Sequence, residues 1–346
     1  MSIELVSTAP FPRPPSSGFN LGDWAILSRF WHPVAFSDEV GSDRPFSATL
    51  LDVPLVVYRG GFGPVAAPDR CRHRAARLSL GRMIDGCLHC PYHGVRYGAG
   101  GRCAGFPGLE EGRACDRLDL HAFGVRERHG LVWVCLNPEP RFDLPEWIEL
   151  DQPGMRRAQL SDVWDASASR HVENFTDLAH LAFVHAASFA DSESPAVPDY
   201  EVERLSDGLS RSLRYQEIDF DDATGRRLGS VATIYRYRLT YPFATRLSIE
   251  YPTRPTRHFM DVPSPIGPRR SRIFLLSASE DPTFDAAVYN DFQRMVNAED
   301  KAVVLSQRPE ELPLDLRAEA HLGADRFSVE YRRSLADLGL GAVLSA

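Results

Sequence analysis

Two groups of residues have types and spacings that do chemistry. The first is Cys71-Arg-His73-Arg74, followed sixteen residues later by Cys90-Pro-Tyr-His93-Gly94. Each pair offers one thiolate and one neutral imidazole from a tight loop. Two thiolates suit one iron of a [2Fe–2S] cluster, and two imidazoles suit the other. A structural zinc site also takes two Cys and two His, but finger-type sites pair Cys with Cys and His with His. Here the pairs are mixed. Cys87-Leu-His-Cys90 is itself a Cys-x2-Cys, yet no second such pair completes a zinc ribbon. Cys87, Cys103, Cys115 and Cys135 are therefore expected to be packing residues. His89 is expected to neighbour the cluster without binding it.

The second group lies in His171-Val-Glu-Asn-Phe-Thr-Asp-Leu-Ala-His-Leu-Ala-Phe-Val-His185. Asp177 precedes His180 by three residues, which places both on one face of a helix. His185 follows His180 by five, a rotation of about 140° on a regular helix. To hold one ion together, the helix must bend, bulge or end between them. Two imidazoles and a carboxylate from elsewhere make the facial triad of non-heme Fe(II) sites, which leaves positions open for oxygen. The competing reading is a buried amphipathic helix whose histidines are ordinary core or surface groups. Glu299-Asp300-Lys301 is the candidate source of the carboxylate. Asp300 follows Val296 by four and precedes Val303 by three, so it shares their face, and Glu299 lies nearly as well by angle.

The elements that must position these groups belong to a chain of 346 residues, long enough for two domains. The formal charge of −8 argues against a nucleic-acid partner. No apolar run approaches the roughly 20 residues that cross a bilayer, and the N-terminal stretch lacks the basic start and apolar core of a signal peptide. The expected location is cytoplasmic. All six cysteines lie between Cys71 and Cys135, which fits a cofactor site better than a disulfide framework. Lys301 is the only lysine.

Residues 1–28 are expected to form a flexible leader, with ordered structure beginning across Trp24–Pro33. Short strands are expected at Ser47–Leu51, Pro54–Tyr58, Gly63–Ala67 and Leu131–Leu136. The proline-rich passage Asn137–Pro145 is read as the boundary between domains 29–145 and 146–346. Beyond it, a strand at Ala158–Ala168 leads into the histidine helix, with Ser167 or Ser169 as N-cap. Strand-like alternation recurs at Tyr200–Leu205, Leu209–Tyr215, Ser230–Tyr241, Thr245–Tyr251 and Arg272–Ser277. Helices are expected at Phe284–Gln307 and Ala324–Leu338. An antiparallel sheet with helices to one side makes the second domain α+β.

Together the two motifs resemble those of the oxygenase (alpha) component of Rieske non-heme iron oxygenases, with a likeness to the short monooxygenase and demethylase members. The resemblance covers the chain from about Trp31 onward. It implies an N-terminal all-β Rieske [2Fe–2S] domain, with Cys71, His73, Cys90 and His93 binding the cluster. It implies a helix-grip (START-like) catalytic domain in which His180, His185 and Asp300 hold a mononuclear Fe(II), and it favours Asp300 over Glu299. Ala76 and Tyr92 stand where respiratory Rieske proteins have a disulfide, which points to a lower-potential cluster. By resemblance Asp177 bridges a cluster histidine of one subunit to His180 of the next in a head-to-tail homotrimer, and Asn174 is a polar neighbour of the iron.

The implied activity is O₂-dependent oxidation of a small aromatic or heterocyclic substrate, by hydroxylation or N- or O-demethylation. Dioxygenation, desaturation, oxidative cyclisation and amine oxygenation use the same irons. No dinucleotide fingerprint or flavin motif occurs, so electrons are expected from a separate ferredoxin or flavin reductase. Arg70, Arg72, Arg74, Arg77 and Arg82 offer a docking patch for an acidic donor. Phe175, Leu178, Phe183 and Phe243 either line an aromatic site or fill the core. Two other classes compete: a Rieske electron carrier with a non-catalytic grip domain, and a zinc-stabilised interaction module.

Overall fold

The computed structural model describes residues 9–110, 113–186, 188–193, 195–220 and 227–342. The chain divides into two compact units, Met1–Leu144 and Pro145–Ala346.

The first unit begins with helix α1 (Leu21–Leu27), capped by the Asn20 side chain. Residues 1–8 of the expected leader lie outside the described residues, and its C-terminal part is not a leader. Trp24 and Leu27 are buried, and the Trp24 indole N–H donates to the Leu51 carbonyl at 3.0 Å. An amphipathic turn with a large aromatic buries too much apolar surface to stay in solvent. Ten strands follow: β1 (His32–Phe36), β2 (Phe46–Leu50), β3 (Val53–Arg59), β4 (Pro64–Pro68), β5 (Arg82–Ile84), β6 (Cys87–His89), β7 (Arg96–Tyr97), β8 (Cys103–Gly105), β9 (Gly124–Arg128) and β10 (Leu131–Cys135). They form three antiparallel sheets, ordered β1-β10-β9, β2-β3-β4 and β5-β6-β7-β8. β1 and β10 are buried throughout, which explains why Leu131–Cys135 reads as a continuous apolar run.

Cys103 and Cys115 are not packing residues: they form a disulfide across a separation of 12 residues. The return of the chain after β8 brings their Cα atoms to 5.7 Å, within bonding reach.

The second unit is the expected α+β arrangement. It contains β11 (Arg156–Trp164), α2 (Ala168–Thr176), α3 (Leu181–Val184), β12 (Glu203–Leu205), β13 (Gly208–Phe220), β14 (Arg227–Thr240), β15 (Ala244–Glu250), β16 (Arg257–Gly267), β17 (Arg270–Ser279), α4 (Ala286–Val304) and α5 (Arg326–Asp337). One seven-stranded antiparallel sheet runs β11-β17-β16-β15-β14-β13-β12. Arg211, Leu213, Tyr215 and Glu217 on β13, and Thr233, Tyr235, Tyr237 and Leu239 on β14, form its buried face with the two-residue period of a strand. α2 packs against β15, β16, α4 and α5.

β16 is not among the expected strands, and its Pro263 and Pro265 are residues that disfavour an interior strand. The pairing resolves this. β15 meets β16 only as far as Asp261, so both prolines lie where β16 pairs with β17 alone and no second ladder needs their missing N–H groups.

Candidate active site

The two Cys–His loops are built alike. In the first, Ala75 N–H donates to Cys71 O at 2.9 Å and Cys71 N–H to Ala76 O at 2.8 Å. In the second, Gly94 N–H donates to Cys90 O at 3.1 Å and Cys90 N–H to Val95 O at 2.8 Å. Both turns need a left-handed residue at the fourth step, supplied by Ala75 (φ 57°) and Gly94 (φ 67°). At Gly94 a Cβ would also approach Pro107 Cγ to 3.2 Å.

Cys71 and Cys90 are buried, whereas His73 and His93 are exposed, with ring centroids 4.6 Å apart. Thiolates inside and imidazoles at the surface suit a cluster whose histidine-bound iron faces outward. Tyr97, fully buried, places its hydroxyl 3.2 Å from Cys71 Sγ. Hydrogen bonds to cluster sulfurs favour the electron-rich reduced state and tune the potential. No sequence signal marks Tyr97, whose partner is 26 residues away.

In the second unit the break in the histidine helix differs from the expected one. α2 ends at Thr176, before His180, and His180 and His185 cap the two ends of the one-turn helix α3. Asp177 causes the break. Its backbone is extended, and its carboxylate accepts from Ala179 N at 2.9 Å and His180 N at 3.1 Å. An Asp that bonds the next turn's amides competes with helix continuation. Arg211, stacked against Tyr200, Tyr237 and Phe327, donates to the Thr176 carbonyl and holds the broken end.

His180, His185 and Asp300 offer ligand atoms within 4.8 Å of one another. Asp300 Oδ1 lies 3.3 Å from His180 Nε2 and 3.1 Å from His185 Nε2. The outer nitrogens are held as well: His180 Nδ1 is 3.0 Å from Asp177 Oδ2, and His185 Nδ1 is 2.7 Å from Glu299 Oε2. With Nδ1 protons given to these carboxylates, both Nε2 lone pairs face Asp300, the donor set a divalent iron takes. Cys71, His73, Cys90 and His93, with their buried sulfurs and outward rings, likewise fit a two-iron cluster.

Burial works against charge on His180. Its bonds to Asp177 and Asp300 outweigh this and raise it to about 9. Burial raises Asp300 too, but the two imidazoles prevail and hold it well below the ordinary carboxylate range. Asn174 Nδ2 donates to Asp300 Oδ1 at 3.2 Å, so its contact is with the carboxylate. Lys301 reaches Asp162 and the Val163 carbonyl on β11, both at 2.8 Å.

Glu299, weighed in the sequence as a rival ligand, instead orients His185. Glu299→Gln is expected to weaken iron binding at the histidine–carboxylate group about 10- to 100-fold. Ferrous titration of the iron-stripped protein measures this, and wild-type affinity would remove the role.

A cavity of about 140 Å³ opens onto these residues, walled by side chains that include Asn174, Phe175, Phe189, Tyr237, Phe259 and Phe292. Phe189 stacks on the His185 ring at 5.0 Å. Of the four apolar residues singled out in the sequence, Phe175 lines the cavity, Leu178 and Phe243 are buried, and Phe183 is 74% exposed. The inward stripe of α4 is narrower than its periodicity implies: Val296 and Val304 are buried, whereas Val288 and Val303 are exposed.

The family model of the vanillate O-demethylase oxygenase C-terminal domain matches residues 164–340, and that of the Rieske [2Fe-2S] domain matches residues 30–123. Methylxanthine N1-demethylase NdmA of Pseudomonas putida is 32% identical over 322 residues, 90% of this chain and 89% of that protein. Methylxanthine N3-demethylase NdmB of the same organism is 31% identical over 342 residues, 93% and 92% of the two chains. The solved structure of P. putida NdmA with caffeine gives a TM-score of 0.79 at 30% identity, covering 91% of this chain and 92% of that one.

Proposed function

We propose a demethylation for this chain, which belongs to the Rieske non-heme iron oxygenases as an oxygenase component. It removes a methyl group from nitrogen or oxygen on a small aromatic or heteroaromatic substrate, as its relatives NdmA and NdmB do on methylxanthines. The observation that carries this reading is the convergence of His180, His185 and Asp300 at the wall of an aromatic cavity. His180, His185 and Asp300 would hold the iron, which would supply dioxygen activation; with two electrons from the donor protein and two protons, one oxygen atom would enter a methyl C–H bond and the other would leave as water. The hydroxymethyl product then loses formaldehyde.

The chain's own residues do the rest. Phe175, Phe259 and Phe292 offer flat surfaces that orient a planar ring. Asp177 and Glu299 hold the imidazole protons on Nδ1, so that Nε2 stays a ligand. Asn174 fixes the orientation of Asp300.

Electrons come from a separate ferredoxin or flavin reductase. Arg70, Arg72 and Arg74 are exposed around His73, and Tyr92 beside His93 is 66% exposed, a surface suited to an acidic donor. Assembly as a homotrimer, with Asp177 bridging to a cluster histidine of the next subunit, is supported by the exposure of the α3 face. Asp177, which ends α2, is partly accessible, and Phe183 on the neighbouring α3 presents an apolar ring to solvent. Among the described residues no helix is long and apolar enough to cross a membrane.

Formaldehyde release from a panel of N-methyl and O-methyl aromatics under ¹⁸O₂, with a ferredoxin reductase system, tests the reading. One formaldehyde is expected per O₂ consumed with at least one compound. Product that keeps all its methyl groups and carries new hydroxyls or unsaturation would assign the chain to the other oxidations of its class.

A further inference from the structure

The cavity has a polar end formed by the sheet. Glu217 on β13 is 6% exposed and lines the cavity. The Tyr235 hydroxyl, from β14, donates to Glu217 Oε1, and the Tyr251 hydroxyl acts on the same carboxyl. Tyr251 and Arg257 also line this end. A carboxylate accepts up to about four hydrogen bonds. Tyr235 takes up part of that capacity, and the carboxyl lines the cavity with acceptor capacity left over. Most of the surrounding walls are aromatic and aliphatic, with Arg257 as a cation beside the carboxyl, and a buried carboxylate gains from each further hydrogen-bond donor.

Glu217 is also built in. Its backbone bridges to Ala190, and the next amide, Ile218 N–H, donates to Phe189 O at 3.1 Å. Phe189 is the ring that stacks on His185. The carboxyl is therefore carried by a segment fixed to the histidine–carboxylate group, as a positioning group should be.

We propose that Glu217 is the substrate-anchoring residue of this cavity, and that it selects aromatic substrates bearing an amine or other N–H donor over aromatic acids. An ammonium or N–H group completes the carboxylate's hydrogen bonds. A substrate carboxylate in the same position places a second negative charge beside Glu217 in a water-poor site, and like charges so placed disfavour binding. Burial pushes the Glu217 carboxyl above its ordinary range, opposed by the two tyrosine hydroxyls and by Arg257 and Arg254. A bound cation removes that penalty, whereas a bound anion deepens it. This assignment deepens the demethylase reading and rests on it for the nature of the cavity.

The test uses three probes of one shape, 4-methoxybenzylamine, 4-methoxytoluene and 4-methoxybenzoate, titrated calorimetrically into the iron-loaded full chain. The amine is expected to bind at least about tenfold more tightly than the benzoate, with the toluene between them. In Glu217→Gln the amine and benzoate are expected to come within about threefold of each other. Equal binding of amine and benzoate by the wild type overturns the proposal, as does an unchanged ratio in the variant or no binding of the amine at millimolar concentration. The wild-type comparison decides alone if the variant does not fold. Iron content and formaldehyde release are measured on the same preparation. Equal binding of amine and benzoate by the wild type, with iron and turnover intact, sinks only the Glu217 assignment, and missing mononuclear iron sinks the enzyme reading.

Discussion

Asp300→Ala leaves a red-brown protein with an intact cluster spectrum, its iron content lowered from about three per chain to about two and its turnover reduced at least about a thousandfold. Asp300 Oδ1 is the atom that both Nε2 nitrogens approach, at 3.3 and 3.1 Å. Without it two neutral imidazoles remain, a pair that binds zinc or copper as readily as iron and supplies no charge to offset a divalent ion. The neighbouring acid does not replace it, because Glu299 is engaged with the opposite side of His185. Fold should survive, since the bonds of Asp300 are confined to the two histidines and Asn174, and α4 keeps its Lys301 bonds to β11. Iron analysis with visible spectroscopy checks this. A variant that retains the third iron and normal turnover would transfer the ligand role to another residue.

Asp177→Ala gives the complementary phenotype: both metal centres filled, with steady-state turnover at least about a hundredfold lower. The carboxylate accepts from His180 Nδ1, so its loss frees the ring without removing a ligand. It also caps the turn between α2 and α3 through Ala179 N and His180 N, and that loss costs about 1 kcal/mol of stability. Asp177→Asn separates the two roles. The amide oxygen can still accept from the backbone, but the charge that draws a proton from imidazole is gone. If Asp177 carries electrons between subunits, both variants slow reoxidation of the pre-reduced cluster by oxygen in a single turnover. Reoxidation at the wild-type rate with full metal content would reduce Asp177 to a cap.

What was legible in the sequence had chemistry tied to local spacing. The two Cys–His loops announce themselves because a short turn fixes which residues face one centre. Asp177, His180 and His185 do so because they lie within nine residues of one another. The strands of the second unit were legible from alternation, except β16, whose prolines are tolerated only because β15 ends early. Contacts made across the fold were not legible. Glu299 meets His185 across 114 positions, and Tyr97 meets Cys71 across 26. Glu217 lies beyond the expected strand Leu209–Tyr215, and nothing local reveals that Tyr235, 18 residues on, bonds to it. The Cys103–Cys115 bond was missed for the same reason, since the return of the chain, not the spacing, brings the sulfurs together.

Three successive residues of α4 face three different tasks. Glu299 grips the far side of His185, Asp300 sits between the two rings, and Lys301 is tied to β11. The rod is thereby keyed against rolling about its own axis. Adding or deleting one residue upstream on it would swing this triplet by about 100° and dislodge all three at once. Evolution along this helix should accordingly proceed by exchange of side chains and leave its length untouched, with novelty in substrate choice arising on the sheet that faces it.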